Sequence, residues 1–136
     1  MESSTQNVPV AVPLDSSIKV ITQDLVLRQA QETHKSKVYE IILSGCAISK
    51  IENIEAFTQL RILDLSCNAI EQIENISFNK ELRELRLYSN KIKEIVNLDQ
   101  LKKLSVLKLQ DNDIKTVGMF HLVCFPSFIF KCILSR

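Results

Sequence analysis

The chain has 136 residues, 46% of them hydrophobic and 24% charged, with a formal net charge of +1. That composition is too apolar for a disordered chain, too interrupted by charge for a multi-span membrane protein, and too balanced for a nucleic-acid binder that works through a broad basic surface. Only 2 Gly and 3 Pro stand against 17 Leu and 16 Ile, and there is no Trp, so a glycine-turned Rossmann or β-sandwich domain fits poorly and a repeated Leu/Ile unit is expected.

In chain order, residues 1–17 carry Pro9, Pro13 and many Ser, Thr and Asn, and read as a disordered arm. The start has no basic cluster and no apolar run of the secretory kind. Residues 18–37 are expected to form a helix and a linker. Ile18, Ile21, Leu25 and Ala30 have helical spacing, and Thr22 is placed to cap a helix from Gln23 onward. Such a helix either covers the exposed edge of the segment that begins at Val38 or binds a partner.

From Val38 to Val117 the sequence repeats every 22 residues. Leu60-x-x-Leu63-x-Leu65-x-x-Asn68-x-Ile70-x-x-Ile73-x-x-Ile76 is followed by Leu82-x-x-Leu85-x-Leu87-x-x-Asn90-x-Ile92-x-x-Ile95-x-x-Leu98, and then by Leu104-x-x-Leu107-x-Leu109-x-x-Asn112-x-Ile114. Upstream, Val38, Ile41, Leu43, Cys46, Ile48, Ile51 and Ile54 fit the same frame, with Cys46 in the place of Asn. This pattern resembles the leucine-rich repeat. Its length and its trailing apolar residues are similar to the class of the protein phosphatase 1 regulatory subunit, the axonemal dynein light chain and a leucine-rich spliceosomal protein.

The resemblance implies an α/β solenoid of about four coils (38–59, 60–81, 82–103 and 104–117 onward). A short parallel sheet lines its concave face, short helical or 3-10 turns its convex face, and a helix caps its N-terminal end. Alternation within x-Leu-x-Leu-x explains the sheet, because Leu63 and Leu65 point to one face while Ile62, Asp64 and Ser66 point to the other. Cys46, Asn68, Asn90 and Asn112 are expected to form a ladder in which the asparagine amides turn inward to satisfy backbone groups of the bend. Ile73, Ile76 and Phe78 are expected to close the convex side, and Asn53, Asn75 and Asn97 to cap its turns.

After Val117 the repeat stops. Position 126, where a new coil should begin, is Pro126, and residues 118–136 hold no Asp or Glu but four of the six Phe. The tail reads as a product of truncation or alternative splicing, as an improvised apolar cap, or, over 117–134, as a membrane segment; of these the membrane reading is weakest, since His121, Pro126 and Lys131 interrupt it.

No catalytic constellation is visible. The histidines are His34 and His121 alone, and no metal-ligand spacing or phosphate-cradling loop occurs. Cys46, Cys67, Cys124 and Cys132 form no C-x-x-C pair and are expected as free thiols in a reducing compartment. Cys67, near the concave face, is either a reactive thiol or an ordinary small residue.

A non-enzymatic binding module without cofactor or metal is therefore expected, taking a protein partner on the concave face and no nucleic acid or membrane. Its candidate contacts are Glu40 and Ile42, then Ile62 and Asp64, then Glu84, Arg86 and Tyr88, then Val106, Lys108 and Gln110. Ser44 and Ser66 complete the outward set; a mixed surface with no partner is the alternative. The chain is expected to act as a monomer within a larger assembly, as an adaptor or scaffold. By resemblance it acts as a phosphatase regulatory subunit or as a ciliary, centrosomal or ribonucleoprotein component, in the cytoplasm, cytoskeleton, cilium or nucleus.

Overall fold

The computed structural model describes residues 19–117, with side chains to residue 116. The arm of residues 1–17 and the tail of residues 118–136 lie outside the described residues, as does Ile18.

Helix α1, Gln23–Ala30, starts where Thr22 Oγ1 accepts the Leu25 N–H at 3.2 Å, with Asp24 in the first turn and Arg28 in the last, both suited to the helix dipole. It ends at Gln31, which takes a left-handed φ of 53° and returns its N–H to Arg28 O. Ile21 and Val26 are buried in the common core, α1 packs against the first strand, and the Gln29 side-chain amide donates to Ile42 O. A short 3-10 turn, Lys35–Lys37, leads to the coils.

Four strands, β1 Glu40–Ile42, β2 Ile62–Asp64, β3 Glu84–Arg86 and β5 Val106–Lys108, pair in parallel in the order β1-β2-β3-β5. The register joins equivalent residues of successive repeats, so Ile41, Leu63, Leu85 and Leu107 stack in one row beneath the sheet. All are buried, as is the next row of Leu43, Leu65, Leu87 and Leu109. Each strand is only three residues long because the chain bends sharply three residues later, at Gly45, Cys67, Ser89 and Asp111, all with positive φ. Three of these are not glycine, and a left-handed L-residue costs about 1–2 kcal/mol. The low glycine count is therefore partly backbone strain.

Behind the bend stands the asparagine ladder. Asn68 Oδ1 accepts the N–H groups of Cys46 and Ile48, both at 3.0 Å, while its Nδ2 donates to Leu43 O, Leu65 O and Ser66 O. Asn90 and Asn112 repeat the geometry, accepting from Ile70 N and Ile92 N and donating to carbonyls of their own and the preceding coil. Cys46 makes only a 3.5 Å thiol contact to Ser44 O, and burial pushes its thiol pKa up.

The convex side keeps the expected 3-10-type turns: among the described residues the coils close through separate i→i+3 turns, such as Phe57 N to Ile54 O and Leu60 N to Phe57 O, both at 3.1 Å, and none continues into a helix. It departs from its expectation in three ways. A two-residue parallel pair, β4 Glu94–Ile95 with β6 Thr116–Val117, adds a second small sheet. Second, Asn53, Asn75 and Asn97 cap nothing. Each sits at a φ of 58–62°, and each Nδ2 reaches back one coil, to Ile21 O, Ile51 O and Ile73 O at 2.7–2.8 Å. They form a second asparagine ladder, at a bend that Asn tolerates better than other side chains. Third, Phe78 does not close the coil; it is 65% exposed. The position equivalent to Phe57 and Leu101 is Asn79, fully buried, whose Nδ2 donates to Ile54 O and Phe57 O while its Oδ1 has no partner.

Candidate partner-binding face

The outward residues of β1, β2, β3 and β5 occupy one face because the parallel register aligns them: Glu40, Ile62, Glu84 and Val106 in one row, and Ile42, Asp64, Arg86 and Lys108 in the next. Ser44, Ser66, Tyr88 and Gln110 follow at the same phase of the repeat. The candidate contacts thus share one face, with Tyr88 and Gln110 just beyond the ends of β3 and β5, but the structure does not leave them equally available. Glu40 and Ile42 are exposed, whereas Ile62, Glu84, Arg86, Tyr88, Val106, Lys108 and Gln110 are half-buried.

Asp64 and Ser66 depart from their expected outward exposure. Asp64 is 6% exposed and Ser66 fully buried. The Asp64 carboxylate accepts the Ser66 N–H at 3.0 Å and the Ser66 hydroxyl at 2.7 Å through Oδ1, and Arg86 Nη1 at 3.3 Å through Oδ2. Arg86 also donates through Nε to Glu84 Oε1 at 2.6 Å. With Glu84 first and Asp64 second, these carboxylates hold the guanidinium pKa above its ordinary value. The centre of the face is therefore an internally paired cluster of two carboxylates on one guanidinium, because a carboxylate drawn below the surface of a short strand needs a cation from the neighbouring coil. Apolar and aromatic area surrounds it at Ile42, Ile62, Tyr88 and Val106. Gln110 Oε1 is buried without a hydrogen-bond partner.

One residue that the strand pattern passes over also borders this face. Tyr39, immediately before β1, is 48% exposed and lies under Arg61, whose guanidinium carbon is 5.1 Å from the ring centroid. Applying the 22-residue frame one position upstream of each strand would have found it, since Tyr39, Arg61, Arg83 and Ser105 share a phase.

Nothing in this arrangement assembles a nucleophile with a base. His34 is exposed, with its ring Nδ1 2.8 Å from Thr33 Oγ1. Among the described residues no group of three His, Cys, Asp or Glu side chains could hold a metal ion, and no helix is long and apolar enough to cross a membrane. Cys67 is exposed at the left-handed bend after β2.

Comparison with known proteins agrees with this geometry. Residues 58–114 match the leucine rich repeat family model. Among solved structures, an internalin (inlF) of Listeria monocytogenes is similar over 85% of this chain and 41% of its own, at 20% identity and a TM-score of 0.59. The functional domain of InlJ from the same organism covers 56% of this chain and 19% of that one, at 28% identity and a TM-score of 0.44. No curated protein sequence matches significantly. The chain thus has the leucine-rich repeat fold and spans less than half the length of these internalin structures.

Proposed function

We propose that this chain is a leucine-rich repeat interaction module: a non-enzymatic adaptor or scaffold that binds a protein partner on its concave face, with α1 as the cap of its N-terminal coil. One observation carries the reading. Four parallel strands in one register, with the residues that follow them, present Ile42, Ile62, Tyr88 and Val106 around an internally paired charge cluster, and apolar and aromatic anchors among satisfied polar groups are what protein interfaces favour. A repeat array of this kind presents an extended surface rather than a pocket. Four strands offer a small platform, so the module works within a larger assembly rather than as a tight independent binder. The 22-residue repeat class favours a cytoplasmic, cytoskeletal, ciliary or nuclear assembly, a phosphatase complex being one form that it takes.

The test replaces contacts whose loss leaves the fold whole. Arg86 is unsuitable, because removing it strands the buried Asp64 carboxylate. Ile42→Arg with Tyr88→Ala changes the face alone. Proximity labelling in cells should lose its most enriched neighbours with this double variant while circular dichroism stays as in the wild type. An unchanged labelling profile overturns the reading.

A further inference from the structure

On the concave face Arg86 is committed to Asp64 and Glu84, and the edge that leads into the strands carries more cations than carboxylates. The turn before each strand occupies the same place in every coil, and its backbone is bonded coil to coil. Arg61 N donates to Tyr39 O, Arg83 N to Arg61 O and Ser105 N to Arg83 O, each at 2.8 Å. Residues of equal phase in successive coils therefore form rows along this edge. Three rows matter: 36, 58, 80 and 102; 37, 59, 81 and 103; 39, 61, 83 and 105. They hold six cations, Lys37, Arg61, Lys80, Arg83, Lys102 and Lys103, against one carboxylate, Glu81, and Lys102 also acts on the Asp99 carboxylate just outside these rows. All six cations are exposed. The formal net charge of the whole chain is only +1, so the remainder is net negative and the charge is segregated onto this edge.

Glu81 reports the field there. It pairs with Lys103 at 2.6 Å, and Lys103 first, then Arg83 and Arg61 at longer range, hold its carboxyl below the ordinary carboxylate range. One carboxylate already sits among these cations, which is a direct sign of the chemistry they accept.

We infer that the strand-leading edge, built by Arg61, Arg83 and Lys80 beside Tyr39, docks an acidic extended segment of a partner protein. Complementary charge is the basis of the assignment. Guanidinium groups bind carboxylates through paired, directional N–H donors. Adjacent coils are about 4.8 Å apart, so four coils span about 14 Å, the reach of about five extended residues. A single-stranded nucleic acid fits less well. Stacking needs free aromatic faces, and Tyr39, the one exposed tyrosine along these rows, already lies under Arg61. The inference rests on the interaction-module reading and names the partner chemistry of a surface adjoining the concave face.

The test is a fluorescence-polarisation titration of the full chain with labelled decaglutamate, decaglutamine and oligothymidylate. Decaglutamate should bind and decaglutamine should not. Arg61→Glu with Arg83→Glu should weaken decaglutamate binding about tenfold or more, and raising ionic strength from about 0.05 M to about 0.3 M should weaken it comparably. Lys37→Glu with Lys80→Glu provides a second reversal should the first pair fail to fold. Asp111→Lys with Asp113→Lys, on the opposite edge, should not weaken binding. No decaglutamate binding, binding indifferent to both reversals, or tighter oligothymidylate binding lost in the same variants would each overturn the inference. Ile42→Arg with Tyr88→Ala should leave decaglutamate binding intact, so failure of the edge and failure of the concave face are read separately.

Discussion

Two asparagines of successive coils, Asn90 on the strand side and Asn79 on the turn side, are both buried, at 8% and 0% exposure, and they are held in different ways. Asn90 accepts the Ile70 N–H at 3.0 Å and donates to three carbonyls, in its own and the preceding coil. Asn79 donates to two carbonyls, but its Oδ1 is buried without a partner. Asn90 recurs in the frame as Asn68 and Asn112, whereas Asn79 stands where its neighbours have Phe57 and Leu101. The contrast separates two meanings of a buried amide. On the strand side it fixes the bend and keeps the concave face in register. On the turn side it fills a place that an apolar residue fills elsewhere.

Apolar packing should not distinguish the two sides. Leu85 beneath β3 and Ile76 in the convex turn are both fully buried, so Leu85→Ala and Ile76→Ala should each destabilise by about 2–5 kcal/mol, read from urea unfolding. A large cost at Leu85 with little at Ile76 would mean that the convex turns are not part of the same core. Backbone strain should separate the bends more gently. Ser89 has a φ of 54°, and Ser89→Gly should raise stability by up to about 1 kcal/mol, the relief of strain being partly offset by the greater freedom of glycine in the unfolded chain. Asn97→Gly at its comparable φ should not gain, because it also removes the 2.7 Å bond to Ile73 O.

The smallest effect concerns pH and lies with the exposed pairs. Lys93 holds the Glu71 carboxyl below its ordinary value, and Lys103 does so for Glu81. A depressed carboxyl stabilises the fold above its unfolded pKa, and that contribution is lost as pH falls through the lower, folded value. Thermal melts below about pH 5 should therefore fall slightly more steeply for the wild type than for Glu71→Gln with Glu81→Gln. Identical slopes would mean that these pairs contribute nothing measurable. Arg86 moves the other way, and its raised pKa keeps it charged throughout this range.

The length scale of each interaction decides how far the sequence reveals it. The strand side is legible because alternation and a fixed period both act on Leu63, Leu85 and Leu107, and any slip would turn them to solvent. The convex side is less legible, since apolar spacing of two to three residues suits a short helix and a chain of single turns alike. Asn75 and Asn97 misled for a related reason: a capping side chain and a cross-coil donor are the same residue type, and only the position of the carbonyl 24 residues earlier decides. The burial of Asp64 depends on Arg86, 22 residues away, which strand alternation alone does not reveal. The basic edge was legible in principle, because its rows keep the same period, but the strand pattern draws attention to the residues beside it.

The distinction between the two asparagines is tested most directly by urea unfolding of Asn90→Leu and Asn79→Leu, side by side with the wild type. Asn90→Leu removes the one acceptor of the Ile70 N–H together with its own donations to Leu65, Leu87 and Tyr88, and should destabilise by about 3 kcal/mol. Asn79→Leu removes an orphaned oxygen, and Ile54 O and Phe57 O keep their backbone partners, Phe57 N and Leu60 N. It should leave stability unchanged or raise it by about 1 kcal/mol. Equal losses in the two variants, or a larger loss at Asn79, would contradict a strand-side ladder that holds the register and an Asn79 that only fills its place in the coil.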